Sequence, residues 1–107
     1  MANLAKIEAF VAQNEAVLLY FKNDACGPCR VLRPKVEALL QADFPKVKMM
    51  IVDSEQQPLL NGHYGVFSNP TLLVFFDGKE YLRKSKHISM GELKGEMQRL
   101  YQLAFDE

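Results

Sequence analysis

The spacing of apolar and polar positions divides the chain into eight segments. Leu4, Ile7, Phe10 and Val11 recur at helical spacing and predict a first helix over Leu4–Gln13. Asn3 suits its N-cap and Asn14 its stop. Ala16 to Phe21 is a continuous apolar run, which marks a strand covered on both faces. Val31, Leu32, Val36, Leu39 and Leu40 return to helical spacing. They predict a second helix that ends near Ala42, before Phe44-Pro45, and is kinked by Pro34. Val47 to Val52 reads as another buried strand, so the two strands and the helix between them form a parallel unit with a right-handed crossover.

Pro58 opens a short helix expected to end near Asn61-Gly62. Thr71 to Phe76 is a third strand, with Phe75 and Phe76 on opposite faces. Asp77-Gly78 suits a type I′ turn, so Lys79 to Ser85 returns antiparallel as an edge strand. Ser89-Met90-Gly91-Glu92 has the capping-box pattern, and Leu93, Met97, Leu100 and Ala104 form the stripe of a last helix. The order α-β-α-β-α-β-β-α predicts an α/β fold: a mixed four-stranded sheet flanked by helices.

Composition adds limits to this outline. The 107 residues suit one domain spanning 1–107. Thirteen Lys and Arg balance thirteen Asp and Glu, which argues against nucleic acid as a partner, because phosphate binding rests on surplus cations. Glu8 and Glu15 interrupt the N-terminal apolar positions, and no run approaches the ~20 apolar residues of a membrane span. A cytoplasmic protein that is monomeric and does not engage membranes is therefore expected. The densest basic stretch, Arg83, Lys84, Lys86 and His87, reads as the solvated face of the edge strand.

The two cysteines carry the chemistry. Cys26-Gly27-Pro28-Cys29 lies between the first strand and the second helix, and its spacing brings two sulfurs within disulfide reach in one helical turn. In a reducing compartment such a pair is catalytic or metal-binding rather than a staple. A Cys26 thiolate at the helix N-terminus gains from unpaired N–H groups and the positive dipole end, and the thiolate is the attacking species. Cys29, one turn deeper, is placed to resolve a mixed disulfide on Cys26. Pro28 is tolerated in a first turn, where its missing N–H has no intrahelical partner. Zinc fits poorly, since a structural site takes four ligands and His63 and His87 fall in exposed segments. No metal, nucleotide, flavin or other cofactor is implied.

With these residues in place the chain resembles the thioredoxin family from its first helix to its last. Cys26-Gly27-Pro28-Cys29 followed by Arg30, then Pro34, Asp53, Tyr64-Gly65-Val66, Asn69-Pro70-Thr71 and the Asp77-Gly78 hairpin all match the family pattern. The resemblance implies a thioredoxin fold without the extra N-terminal strand. It also implies a cis Pro70 beside the cysteines and an Asn69 backbone open to a bound peptide. Four positions depart from the pattern. Ala25 stands where the family has a docking Trp, Tyr20 where it has a buried Asp, Met49 where it has a Lys, and Lys86 near a groove-lining Gly. Losing Asp and Lys together is consistent, since one buried charge without its partner is more costly than neither. Tyr20 then reads as a core aromatic with its hydroxyl toward the polar site, and Met49 and Met50 as packing residues.

The function expected from these features is a protein-disulfide reductase of thioredoxin type. Cys26 is the nucleophile, Cys29 the resolving thiol, and Gly27 and Pro28 form the active-site turn. Ala25, Asn69 and Pro70 face the substrate, and Tyr20 and Arg30 tune the pair. Its partners are protein disulfides and an external thiol reductant or reductase. Loss of the docking Trp and the buried Asp keeps an alternative open, a thioredoxin-fold adaptor with weak or partner-restricted redox activity.

Overall fold

The computed structural model describes residues 3–25 and 27–105. Its order is α1 (Leu4–Gln13), β1 (Ala16–Lys22), α2 (Gly27–Asp43), β2 (Val47–Asp53), α3 (Pro58–Tyr64), β3 (Thr71–Phe76), β4 (Lys79–Ser85) and α4 (Met90–Phe105). The strands form one mixed sheet in the order β2-β1-β3-β4. β1 runs parallel to β2 and antiparallel to β3, and β3 runs antiparallel to β4.

Period-two alternation along the central strands sorts side chains into two cores. Leu18 and Tyr20 of β1 and Leu72, Val74 and Phe76 of β3 face one layer, where Cys29, Leu32 and Val36 of α2 meet Leu93 and Met97 of α4. Val17, Leu19 and Phe21 of β1 and Leu73 and Phe75 of β3 face the other, against Ile7 and Val11 of α1 and Leu60 of α3. The apolar runs in β1 and β3 thus reflect cover on both faces, and Phe75 and Phe76 do point to opposite sides.

Turns and caps follow local chemistry. The Asn3 side chain accepts the Lys6 N–H at 3.0 Å, and the Ser89 hydroxyl accepts the Glu92 N–H at 3.3 Å. Asp77 and Gly78 have φ of 54° and 79°, as a type I′ turn requires. Four expectations need correction. β2 is an edge strand, not a buried one, and Lys48 is exposed while Met49 and Met50 are half-buried. α3 continues past Gly62 to Tyr64, because Gly65 rather than Gly62 takes the left-handed cap, at φ 66°. On α2 the buried stripe is Cys29, Leu32, Val36 and Leu40, which leaves Val31 62 % exposed. On α4 Ala104 is exposed, and Tyr101 and Phe105 pack against the core instead.

Candidate functional site

The end of β1 and the first turn of α2 build the site. Ala25 and Asp24 are exposed at the tip of the β1–α2 connection, and Gly27 and Pro28 open α2 on the surface. Cys29, one residue further, turns inward to 3 % exposure and is disulfide-bonded. Cys26 lies outside the described residues, and the nucleophile assignment to it rests on the sequence.

Tyr20 is placed beneath the turn by the pleat of β1. It is fully buried, and its hydroxyl donates to the Cys29 carbonyl at 2.7 Å. Burial pushes the phenol up to about 12, with Arg33 drawing it down and Glu37 adding to the rise. At neutral pH this is a hydrogen-bond donor committed to the backbone. Met49 of β2 packs against the same core. The two positions expected to replace an ionic pair are therefore apolar or neutral.

Charge gathers on the other side of the turn. Lys22 holds Asp53 and Asp24, each at 3.1 Å, and those bonds raise its pKa, Asp24 contributing most. Burial opposes the charge on Asp53. Hydrogen bonds from Lys22 and from the Gln56 and Glu55 N–H groups outweigh it and hold the carboxyl below its usual range. The Arg30 guanidinium donates to the Asp24 carbonyl at 2.8 Å, which ties the first turn of α2 to the connection before it. A small pocket of about 200 Å³ opens among Tyr20, Lys22, Asp24, Cys29 and Arg30.

The Asn69-Pro70 bond is cis, and Pro70 is buried. The Asn69 side chain does not face outward: its Oδ1 accepts the hydroxyl of Ser54, a residue only 8 % exposed. Pro28 and Pro70 share a shallow groove of about 690 Å³ with Val31, Lys86 and Met90. Ala25, Pro28, Cys29 and Pro70 thus sit in one region, while Tyr20 and Arg30 support it from behind.

Two features escaped the sequence. Ser54 has no local signal beyond following the last residue of β2, and its partner is fifteen positions away. Arg83, read as part of a solvated basic face, donates to the carbonyls of Tyr64 and Gly65 at 2.7 and 2.9 Å and so closes the C-terminus of α3. Lys84 is likewise committed, to Glu96 at 2.8 Å, and is half-buried, while Arg83, Lys86 and His87 stay exposed.

Comparison with known proteins agrees with this fold. The thioredoxin family model matches residues 2–99. The chain is 29 % identical over 101 residues to the thioredoxin-like protein YdfQ of Bacillus subtilis, covering 94 % of this chain and 89 % of that one. It is 45 % identical over 67 residues to thioredoxin of Chlamydia trachomatis, a match spanning 63 % of this chain and just under two thirds, 65 %, of that relative. Among solved structures, a point mutant of thioredoxin from Halobacterium salinarum superposes with a TM-score of 0.82 at 26 % identity, covering 100 % of this chain and 89 % of that one. The fold is the thioredoxin fold, a thiol–disulfide oxidoreductase is the general activity that goes with it, and the chain belongs to the thioredoxin family.

Proposed function

We propose that the chain reduces or exchanges protein disulfides through a Cys26/Cys29 dithiol–disulfide cycle. The observation that carries this reading is the seat of Cys29: buried, disulfide-bonded, and in the first turn of α2 behind an exposed Gly27-Pro28 turn. A resolving sulfur needs that shelter, because exposure would let it compete for substrate or be lost to other thiols.

In the cycle, the Cys26 thiolate attacks one sulfur of the substrate disulfide, whose other sulfur leaves as a thiolate and takes up a proton. Cys29, once deprotonated, attacks the Cys26 sulfur, and the second substrate sulfur leaves in the same way. The substrate gains two electrons and two protons, and the chain keeps a Cys26–Cys29 disulfide until an external thiol reductant or reductase reduces it. Tyr20 does not take the Cys29 proton, since its hydroxyl is protonated and already bound to the Cys29 carbonyl. That proton leaves to water through the small pocket beside Lys22 and Arg30. Ala25 and Pro70 carry the substrate, together with the Asn69 backbone. The cycle is assigned to the cytoplasm and to a monomer.

Reduction of insulin disulfides with dithiothreitol as electron source tests the reading. Turnover above the dithiothreitol background is expected, and Cys26→Ser or Cys29→Ser should abolish it. No turnover, together with no covalent adduct trapped by Cys29→Ser, would overturn the cycle in favour of an adaptor.

A further inference from the structure

The groove beside Pro28 and Pro70 has a one-sided charge. Its basic lining residues are Lys35, Lys86 and His87, all exposed, and among the described residues no carboxylate lines it. Elsewhere most basic side chains near the sheet are paired: Lys22 with Asp24 and Asp53, Arg33 with Glu37, Arg83 with Glu80, Lys84 with Glu96. Lys35 and Lys86 take part in none of the ion pairs among the described residues. A chain of zero net charge therefore leaves this groove uncompensated.

Lys86 is held there against its backbone preference. Its φ is 60°, the left-handed region that glycine enters without steric cost, and its N–H donates to the Pro70 carbonyl at 2.9 Å. The bond fixes the Lys86 backbone beside Pro70, and the residue lines the groove there. Ser89, at the N-terminal end of the sixteen-residue α4, also lines the groove and adds the positive end of a helix dipole. Val31 and Met90 supply apolar wall between these charges.

We propose that this groove selects disulfide-bearing protein segments with carboxylates within a few residues of the reactive sulfur. The proposal rests on the redox reading above and names its substrate class: an extended segment with apolar and acidic side chains, the acidic ones facing Lys86 and Lys35. Opposed charges of this kind raise the encounter rate and orient the segment, and salt weakens both effects.

Three peptides identical except for Glu, Ser or Lys flanking a single cysteine test it. Each is presented to the reduced protein as its mixed disulfide with neutral 2-thiopyridine, and release of 2-thiopyridone is followed. The Glu peptide is expected to react roughly tenfold faster than the Lys peptide at low salt, with the gap closing to about twofold near 1 M salt, where screening acts within about 3 Å. Lys86→Glu should reverse the order, and Lys86→Gly, which relieves the backbone strain and so preserves the fold, should narrow it. Equal rates for all three peptides would overturn the charge selection and leave the redox cycle standing. In parallel, peptides with Ser in place of the cysteine are titrated onto the oxidised protein and amide shifts at Lys86 and His87 are read by NMR. Preferential binding of the Glu peptide without any thiopyridone release would overturn the cycle and keep the acidic-segment groove. Neither release nor preferential binding would overturn both.

Discussion

At Tyr20 a single side chain does the work of filling the core and tying it to the redox turn. Tyr20→Phe keeps the ring and removes only the bond to the Cys29 carbonyl. The expected cost is about 1 kcal/mol, seen as a lower urea midpoint with an unchanged slope in the oxidised protein. The pH dependence gives a second reading. The folded state holds this phenol protonated beyond its ordinary 10.0, up to about 12, so between those values the folded state binds more protons than the unfolded one. Stability from Tyr20 is complete below pH 10 and falls as pH rises through that window. Lys22 also loses its contribution at alkaline pH, but it does so equally in both proteins. The difference between wild type and Tyr20→Phe should therefore shrink from pH 9 toward pH 12, and a constant difference would show that the phenol does not titrate with folding (roughly the interval set by a tyrosine shifted from 10). The placing of Cys29 in the first turn of α2 after β1 was legible in the sequence because spacing and flanking elements are local. Asn69 was not fully so: its side chain is spent on Ser54, a contact made only when β2 and the segment before β3 meet.

Among the elements, boundaries set by short-range chemistry were readable and those set by tertiary contacts were not. Asn3 capped α1 and Asp77-Gly78 turned the hairpin as their types require. β2 carries a strongly apolar sequence yet sits at the edge of the sheet, since an apolar run reports burial of side chains and says nothing about which neighbour lies beyond. α3 overran Gly62 because its end is fixed from outside. Gly65 takes the left-handed cap, and Arg83 on β4 supplies donors to two carbonyls there. The planar guanidinium reaches both carbonyls and still meets Glu80. Arg83→Ala should lower Tm by several degrees, for a loss of about 1 kcal/mol from a partly exposed site. Arg83→Lys should recover less than half of it, because one ammonium cannot reproduce the fork. Faster amide exchange at Val66, whose N–H closes the α3 end at 2.7 Å to the Asn61 carbonyl, should accompany both variants. Full rescue by lysine would show that charge alone, and not the paired donors, holds α3 to β4.

For the whole molecule, the two packed faces of the sheet decide the environment in which the proposed dithiol cycle would run. Cys29 shares its core with Tyr20 and Leu72, and half-buried Met49 packs against it; none of these side chains carries a charge at neutral pH. A carboxylate in that layer would raise the thiol pKa values by like-charge repulsion and disfavour the reduced, thiolate-bearing form. With a neutral phenol in its place, the Cys26 thiolate of the proposed cycle, immediately before α2 in the chain, would keep the favour of a helix N-terminus without that opposition from the core. The reduced state gains, so the couple should be more oxidising than thioredoxin's roughly −270 mV. With Tyr20 where a core carboxylate would stand, rate is affected in the opposite sense, because Cys29 must lose its proton to the pocket side rather than to a core base before it resolves the mixed disulfide. Equilibration against a glutathione or dithiothreitol series measures the first effect, and single-turnover decay of a mixed disulfide on Cys26 measures the second. A potential at or below that of thioredoxin would refute the tuning by Tyr20. A potential raised as expected, with resolution that speeds up steeply as pH rises toward the ordinary thiol range near 8.5, would show that the uncharged core sets both the driving force and the slow step.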